Sequence, residues 1–349
     1  MHQSIVDILR CPLSGEKLSL KIIDHFIHPA SSVLEIKSGY LFAEEGGIYP
    51  IIKGVPRMLP QSFMDYSPEL SEWFPDFKKK ANVISKKFQD NIATSIDRNH
   101  KIQETFGFEW GLLKKNKNTK IWNLNVSEYK TQLLTELKLP THFKCKYALD
   151  AGCGHGRSAG NMTVFSENVF GVEVSRAVEF AYGENNKKNC HFLQADIHFL
   201  PFPPETFDLV YCSGVLHHNP STLMSFKKIS LLVSEGGRLS VWLYHPFKSI
   251  VHSVMCKYRK VTTRLPVALV FYINAITITP FQWVVSQVKG KKKKFIEIAI
   301  EQLDMLTPSY RHEHTHDEVK QWMEEDGFKE VALTDQDRYG FSICGVKYF

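Results

Sequence analysis

Apolar and polar positions in the middle of the chain fall into short strand-like runs separated by helical spacing. KYALDAG (146–152) is an apolar run closed by an acid and a glycine, HGRSAGNMTVFS (155–166) opens as a helix, and NVFGVEVS (168–175) is a second apolar run. Strand, helix and strand in that order predict a βαβ unit. Further on, CHFLQADIHFLPFPPETFDLVYCSGVLHH (190–218) predicts a third strand ending in Asp196 and a fourth ending between Cys212 and His218, with a fifth in LLVSEGGRLSVWLYH (231–245). THDEVKQWMEEDGF (315–328) sets Thr315 three residues before Glu318, a capping-box spacing, and Gly327 where a helix stops. KEVALTD (329–335) and YGFSICGVKYF (339–349) then predict two strands with a short connection.

The first strand-to-helix loop carries the most chemistry. Gly152, Gly154 and Gly156 remove Cβ atoms at a sharp turn, so a ligand can lie against backbone N–H groups at a helix N-terminus. Glu173, 21 residues beyond Gly152, ends the second strand, the place from which a carboxylate can accept both hydroxyls of a ribose. The pattern is GxGxG preceded by Asp150, with Arg157 after Gly156, and not the GxGxxG of dinucleotide sites. An acid beside a pyrophosphate would repel it, whereas beside the ammonium of a methionine moiety it is favourable. The expected ligand is an adenosine cofactor with a methionine end; a glycine turn without ligand is the plain alternative.

Taken together, LDAGCGHGR, VFGVEVS, QADIHFLPFPPETFDLVYCSGVLHH and LLVSEGGRLSVWLYH resemble a class I S-adenosylmethionine-dependent methyltransferase, of the broad group that includes ubiquinone and menaquinone methyltransferases. The resemblance implies an α/β, Rossmann-like doubly wound sheet of seven strands in the order 3-2-1-4-5-7-6, with the last strand antiparallel. It implies S-adenosyl-L-methionine as cofactor, with Asp150, Gly152, Cys153, Gly154 and Gly156 at the loop and Glu173 with Val174 at the ribose. Asp196 and Ile197 would meet the adenine, and Cys212 and Ser213 would lie under the sulfonium. For Asp196 a turn cap is the plainer role. His217 and His218, just past the fourth strand, are candidate general bases and substrate-pocket residues, since histidine is the side chain best suited to take a proton near neutrality. The segment CSGVLHH lacks the Pro-Pro pair of relatives that methylate base amines, which lowers the expectation of a nucleobase target.

In SYRHEHTH (309–316), Arg311, His312, His314 and His316 invite a metal reading, but Thr315 is assigned to the helix cap and spacing specifies no further ligand, so no metal is expected. Tyr310 and Arg311 are kept as substrate-pocket candidates. Residues 1–60, with ILRCPLSGEKLSL and GGIYPIIKGVPRML, resemble a small zinc-ribbon-like module in degenerate form, because Cys11 is followed by Ser14 where a metal version has a second cysteine. Residues 61–135 are expected to be a helical linker that covers the cofactor, with Phe106, Phe108 and Trp110 as covering or core aromatics and a helix in WNLNVSEYKTQLLTEL (122–137). The methyltransferase domain is then expected over 136–349, interrupted by a helical insertion at 246–306.

Composition changes this picture in one place. Hydrophobic residues at 43% and charged residues at 23% are ordinary for a folded chain, and the net charge is +6. Residues 236–296, however, contain no Asp or Glu while carrying Arg238, Lys248, Lys257, Arg259, Lys260, Arg264, Lys289 and Lys291 to Lys294. Two readings stand for this apolar, basic insertion: a lid over the substrate pocket, or helices that also meet an anionic membrane surface over 246–294. Pro266, Pro280, Asn274 and Gln282 argue against a single spanning helix. Seven scattered cysteines without a CxxC pair fit a reducing cytoplasm, and the polar, acidic N-terminal residues do not read as a signal peptide. The protein is therefore expected in the cytoplasm, with peripheral contact at the inner face of a membrane as an addition. The expected function is methyl transfer to a small-molecule or lipid-like acceptor. An RNA methyltransferase ranks second, since the cations flank an apolar run instead of tracking phosphates; a non-catalytic cofactor-binding partner ranks third. The accepting atom and the oligomeric state are not specified.

Overall fold

A computed structural model describes residues 1–115, 126–246 and 249–348. Trp122 to Asn125 and Lys248, named above, lie outside the described residues. The N-terminal sheet is antiparallel, β1 (Ser19–Ile27), β2 (Leu34–Phe42), β3 (Ile48–Ile52) and β4 (Val55–Pro56) in chain order. Lys53 and Gly54, both at positive φ, make the tight turn between β3 and β4, as two-residue hairpins require. The ribbon resemblance of this region finds no support: among the described residues no group of three or more His, Cys, Asp or Glu side chains could hold a metal ion. Apolar packing closes it instead, with Leu9, Ile36, Leu41 and Ile51 buried, and the Cys11 thiol lies 3.2 Å from the Tyr49 hydroxyl.

After β4 the chain runs along the edge of the main sheet. Arg57 pairs in parallel with Gln194, Met58 N–H donates to the Gln194 carbonyl at 2.7 Å, and the buried Arg57 guanidinium reaches Gln194 Oε1 at 3.1 Å and Glu179 at 3.0 Å. Helices α1 (Ser62–Asp65), α2 (Ser67–Trp73), α3 (Phe77–Lys87), α4 (Gln89–Lys115) and α5 (Val126–Leu137) follow. In α5 Leu133 and Leu137 are buried against the main domain.

The main sheet consists of β5 (Cys145–Ala151), β6 (Ser166–Glu173), β7 (Cys190–Gln194), β8 (Phe207–Ser213), β9 (Val233–Tyr244), β10 (Phe328–Gln336) and β11 (Gly340–Lys347). Its order is β10-β11-β9-β8-β5-β6-β7, which in the numbering of this domain alone is 3-2-1-4-5-7-6. Strands β5 to β9 pair in parallel, and β11 is antiparallel to both β9 and β10. The fold class read from the sequence is thus the fold observed. Both faces are covered: Leu149, Phe170 and Val210 join one core layer, while Ala148, Val169 and Leu209 join the other, the period of two expected of strands.

Helices α6 (Arg157–Met162), α7 (Ala177–Glu184) and α8 (Thr222–Ser230) connect the parallel strands. The 246–306 region contains α9 (Ile250–Thr262), α10 (Val267–Ile276), α11 (Ile278–Val288) and α12 (Phe295–Leu306), and α13 (His316–Glu325) precedes β10. Thr315 Oγ1 accepts the Glu318 N–H, half of the expected capping box; the Glu318 carboxylate turns instead to His314 Nδ1 at 3.0 Å. The order reverses between β5 and β8, and the C-terminal ends of these strands open a crevice at that switch point, where doubly wound sheets bind ligands.

Candidate functional site

A cavity of about 280 Å³ lies at this switch point, near the small end of the ~300–1,000 Å³ typical of ligand sites. The loop after β5 forms one wall. Gly152, Gly154 and Gly156 have φ of +85°, +51° and +81°, the left-handed region open to glycine. A Cβ at Gly152 would come within 2.3 Å of the Val215 side chain, and one at Gly154 within 2.6 Å of the Trp110 ring. The loop is therefore bare because neighbours occupy the space that side chains would need.

Three acids end or follow strands β5, β6 and β7. Asp150 Oδ2 accepts the Ala159 N–H at 2.8 Å, holding the start of α6; burial pushes its carboxyl up to about 7 and Glu173 adds to the shift. Glu173 accepts the Gly154 N–H at 3.2 Å through Oε2 and the Ser175 N–H at 2.8 Å through Oε1, and its pKa is raised by burial. Asp196 Oδ1 takes the His198 N–H at 2.8 Å, so its turn-capping role is realised, while Oδ2 accepts from Asn99 Nδ2 at 2.7 Å and pairs with Arg98 at 3.5 Å. Asp150, Gly152, Cys153, Gly154, Glu173, Val174, Asp196, Ile197 and Ser213 line the cavity. Gly156 and Cys212 do not; Gly156 packs against Phe192, and Cys212 lies buried in the core beneath.

The opposite wall comes from α4. Asn99, Ile102, Phe106, Glu109 and Trp110 recur at helical spacing and line the cavity. Gln103 Nε2 donates to the Val174 carbonyl at 3.1 Å, pinning α4 over the end of β6. Trp110 stacks on His155, whose buried Nε2 has no partner among the described residues; burial pulls the His155 pKa down to about 3. Phe108 turns away to Phe271 of α10. Sequence reasoning missed Glu109. Its Oε2 is buried without a partner among the described residues, and burial, with Asp304 and Glu173 adding, pushes its carboxyl well above the usual range. The signal was present as the 99, 102, 106, 109, 113 spacing, with polar residues set within an otherwise apolar stripe.

Asp304 of α12 was missed as well. It lines the cavity, accepts from the Tyr244 hydroxyl at 3.0 Å, and is raised by burial to about 6. The two histidines separate. His218 lines the cavity, and its Nδ1 is 2.9 Å from the Tyr310 carbonyl; a carbonyl only accepts, so Nδ1 carries the proton and Nε2 the lone pair. Burial lowers the His218 pKa to about 3. His217 lies outside the cavity wall, enclosed by the rings of His218, Trp242 and Tyr244, with neither ring nitrogen partnered among the described residues.

Tyr310 and Arg311 are not on the wall. Tyr310 orients His218 through its carbonyl, and Arg311 lies over the Tyr244 ring at 3.9 Å while pairing with Glu313. The histidine-rich segment is a strap. His312 N–H donates to the His217 carbonyl at 3.0 Å, His314 N–H donates to the Tyr244 carbonyl at 2.9 Å, and His314 Nε2 meets Thr222 Oγ1 at 2.9 Å.

Residues 149–241 match the family model of a methyltransferase domain. A 27-O-demethylrifamycin SV methyltransferase of Amycolatopsis mediterranei is 32% identical over 99 residues, 27% of this chain and 36% of its own length. A ubiquinone biosynthesis O-methyltransferase of Coxiella burnetii is 29% identical over 99 residues, 28% of this chain and 42% of its own. A sterol 24-C-methyltransferase of Schizosaccharomyces pombe is 32% identical over 100 residues, 27% of this chain and 26% of its own. The chain thus spans between about a quarter and two fifths of the length of these curated relatives.

Proposed function

We propose that the protein is an S-adenosyl-L-methionine-dependent methyltransferase acting on a small organic acceptor, lipid-like acceptors included. The observation that carries this reading is the convergence of the bare glycine loop, Glu173 and Asp196 on one cavity, within the stretch that matches a methyltransferase domain. Glu173 ends β6 and lines the cavity, the position from which a carboxylate can accept ribose hydroxyls. The chain's residues fit such a cofactor on that ground and on the side-chain-free loop.

When bound, the cofactor supplies a methyl group already activated on a sulfonium. Asp150, Gly152, Cys153 and Gly154 would hold its amino-acid end, Glu173 and Val174 the ribose, and Asp196 and Ile197 the base, with Ser213 under the sulfonium. Helix α4 excludes water by laying Phe106 and Trp110 over the cavity, and positioning in a dry site is the main contribution a protein can make to such a transfer. His218 is the proton acceptor in this reading: it is neutral near pH 7, its tautomer is fixed by Tyr310 so that Nε2 carries the lone pair, and it lines the cavity. We divide the chain as 1–60, 61–135 and 136–349, with 246–306 as insertion. The relatives' names point to small organic acceptors, one of them a sterol, and this supports the acceptor class.

Calorimetry tests the reading directly. Heat is expected with S-adenosyl-L-methionine and with its demethylated product. No heat with either, together with normal titration of NADH, would overturn it. Labelled methyl transfer into lipid, small-molecule and RNA pools of a cell extract then assigns the acceptor.

A further inference from the structure

Helices α9 and α11 of the insertion are patterned inside out, and α10 between them also exposes an apolar stripe. In α9 the buried positions are Arg259 and Thr262, while Ile250, Val251, Val254 and Val261 are exposed, Ile250 by 85%. In α11 Thr279 and Ser286 are buried, while Phe281, Val284 and Val288 are exposed, the last by 83%. Helix α10 buries Asn274 beside Val267 and Val270 and exposes Leu269, Tyr272 and Ile276, Ile276 by 80%. Hydrogen bonds reach each of these helices from within: Thr262 Oγ1 donates to the Leu306 carbonyl at 2.7 Å, Tyr258 donates to Asn274 Oδ1 at 3.1 Å, Thr279 donates to Gln302 at 2.8 Å, and Arg259 donates to the Pro308 carbonyl at 2.8 Å. Hydrogen bonds thus fasten the helices to α12 and to the segment leaving it, and the apolar stripes are left facing outward. For a helix surrounded by water the opposite arrangement is expected.

We propose that the outward face of α9, α10 and α11 docks on an anionic lipid bilayer. Exposed Lys257, Lys260, Arg264, Lys289, Lys291 and Lys292 flank the apolar stripes. Between 236 and 296 there is no acid to oppose them. Apolar side chains with cations at their margin match the acyl boundary and the headgroups of such a surface, and Tyr272 and Trp283 are the aromatic types that favour that depth. A second copy of the chain is a poor occupant, because a self-complementary contact would set this basic face against itself. Nucleic acid leaves the apolar stripes in water. No single helix among the described residues is long and apolar enough to cross a membrane; α10 and α11 pass such a test only as a pair, and that pair is bent by 52°. The face therefore lies on the bilayer.

The surface adjoins the cavity. Helix α10 rests on α4 through Phe271 against Phe108 and through Val267 N–H, which donates to Glu104 at 2.9 Å, and α12 contributes Asp304 to the cavity wall. Docking would set the cavity beside the lipid phase. Membrane binding itself does not depend on the catalytic reading.

Flotation of the full chain with vesicles of phosphatidylcholine, or of phosphatidylcholine with one third phosphatidylglycerol, tests the proposal. At low salt the protein is expected to float with the anionic vesicles, and its partitioning should fall about tenfold or more on neutral vesicles or in high salt. Phe281→Asp with Val288→Asp, and separately Lys291→Gln with Lys292→Gln, should each cost about tenfold in partitioning. All four positions are exposed, so melting temperature is expected to stay unchanged. Failure of the unaltered chain to float, flotation indifferent to both variants, or a dimer in sedimentation that Phe281→Asp dissociates would overturn the proposal.

Discussion

The indole of Trp110 lies on the imidazole of His155, 4.6 Å between centroids and 18° between planes, so a residue of α4 covers the loop that follows β5. Trp110→Ala is expected to weaken cofactor binding about tenfold or more, near 1.4 kcal/mol, as measured by calorimetry. Gly154→Ala should weaken it too, because its Cβ would meet the Trp110 ring. Unchanged affinity in both variants would detach this cover from the binding site.

Stability should fall as pH rises from weakly acidic to weakly basic. Burial holds Glu136 and Asp150 at about 7 and Asp304 at about 6, with Glu109 also raised. The folded state therefore binds more protons than the unfolded one, so these groups favour folding fully only below the unfolded carboxylate pKa of about 4 and lose that contribution as pH passes through the folded values. Glu109→Gln removes one such group at constant size. Its melting temperature is expected to exceed that of the unaltered chain by about 3 °C or more near pH 8, with the gap closing toward pH 5. An equal gap at both pH values would show that Glu109 does not titrate this way.

His218 and His217 should respond differently to replacement. His218→Ala is expected to lower kcat about 100-fold while cofactor affinity stays within about threefold, because the side chain lines the cavity with its tautomer set by Tyr310. For His217, enclosed by three rings, the Ala variant should chiefly lose thermal stability. Paired turnover and melting measurements separate the two; an unaltered kcat in His218→Ala would remove it as proton acceptor.

Arg57 fastens the N-terminal sheet to the edge strand β7. Its guanidinium is buried between Gln194 and Glu179. Arg57→Ala leaves Gln194 without that donor and opens a void, and should cost about 3–5 kcal/mol in denaturant unfolding. Arg57→Met, which refills the volume, should recover part of that loss. Equal losses in the two variants would mean that packing contributes little at this position.

The loop and strands of the main sheet were legible because their signals are local. LDAGCGHG states its own backbone need, since positive φ at 152, 154 and 156 follows from glycine at each. Glu173 ends its strand as its spacing implied. Tyr310 and Arg311 were legible as residues near the site but not in role, because the Tyr310 contribution is a carbonyl oxygen, which no side-chain pattern encodes. Gly156 and Cys212 belong to the motif and yet face the core.

By itself, the sequence determined the βαβ start, the seven-strand order through its resemblance, the glycine loop with its acids, and the acid-free basic stretch at 236–296. These depend on residues close together in the chain, where periodicity and backbone preference act directly. Tertiary structure alone decided that α4 and α12 would bring Glu109 and Asp304 to the same cavity, that His218 and not His217 would reach it, and that α9 to α11 would turn their apolar stripes outward. Each of those outcomes is set by which surface of a helix finds a partner among segments distant in the chain, and side-chain spacing gives a helix its faces without saying which one the rest of the molecule will cover.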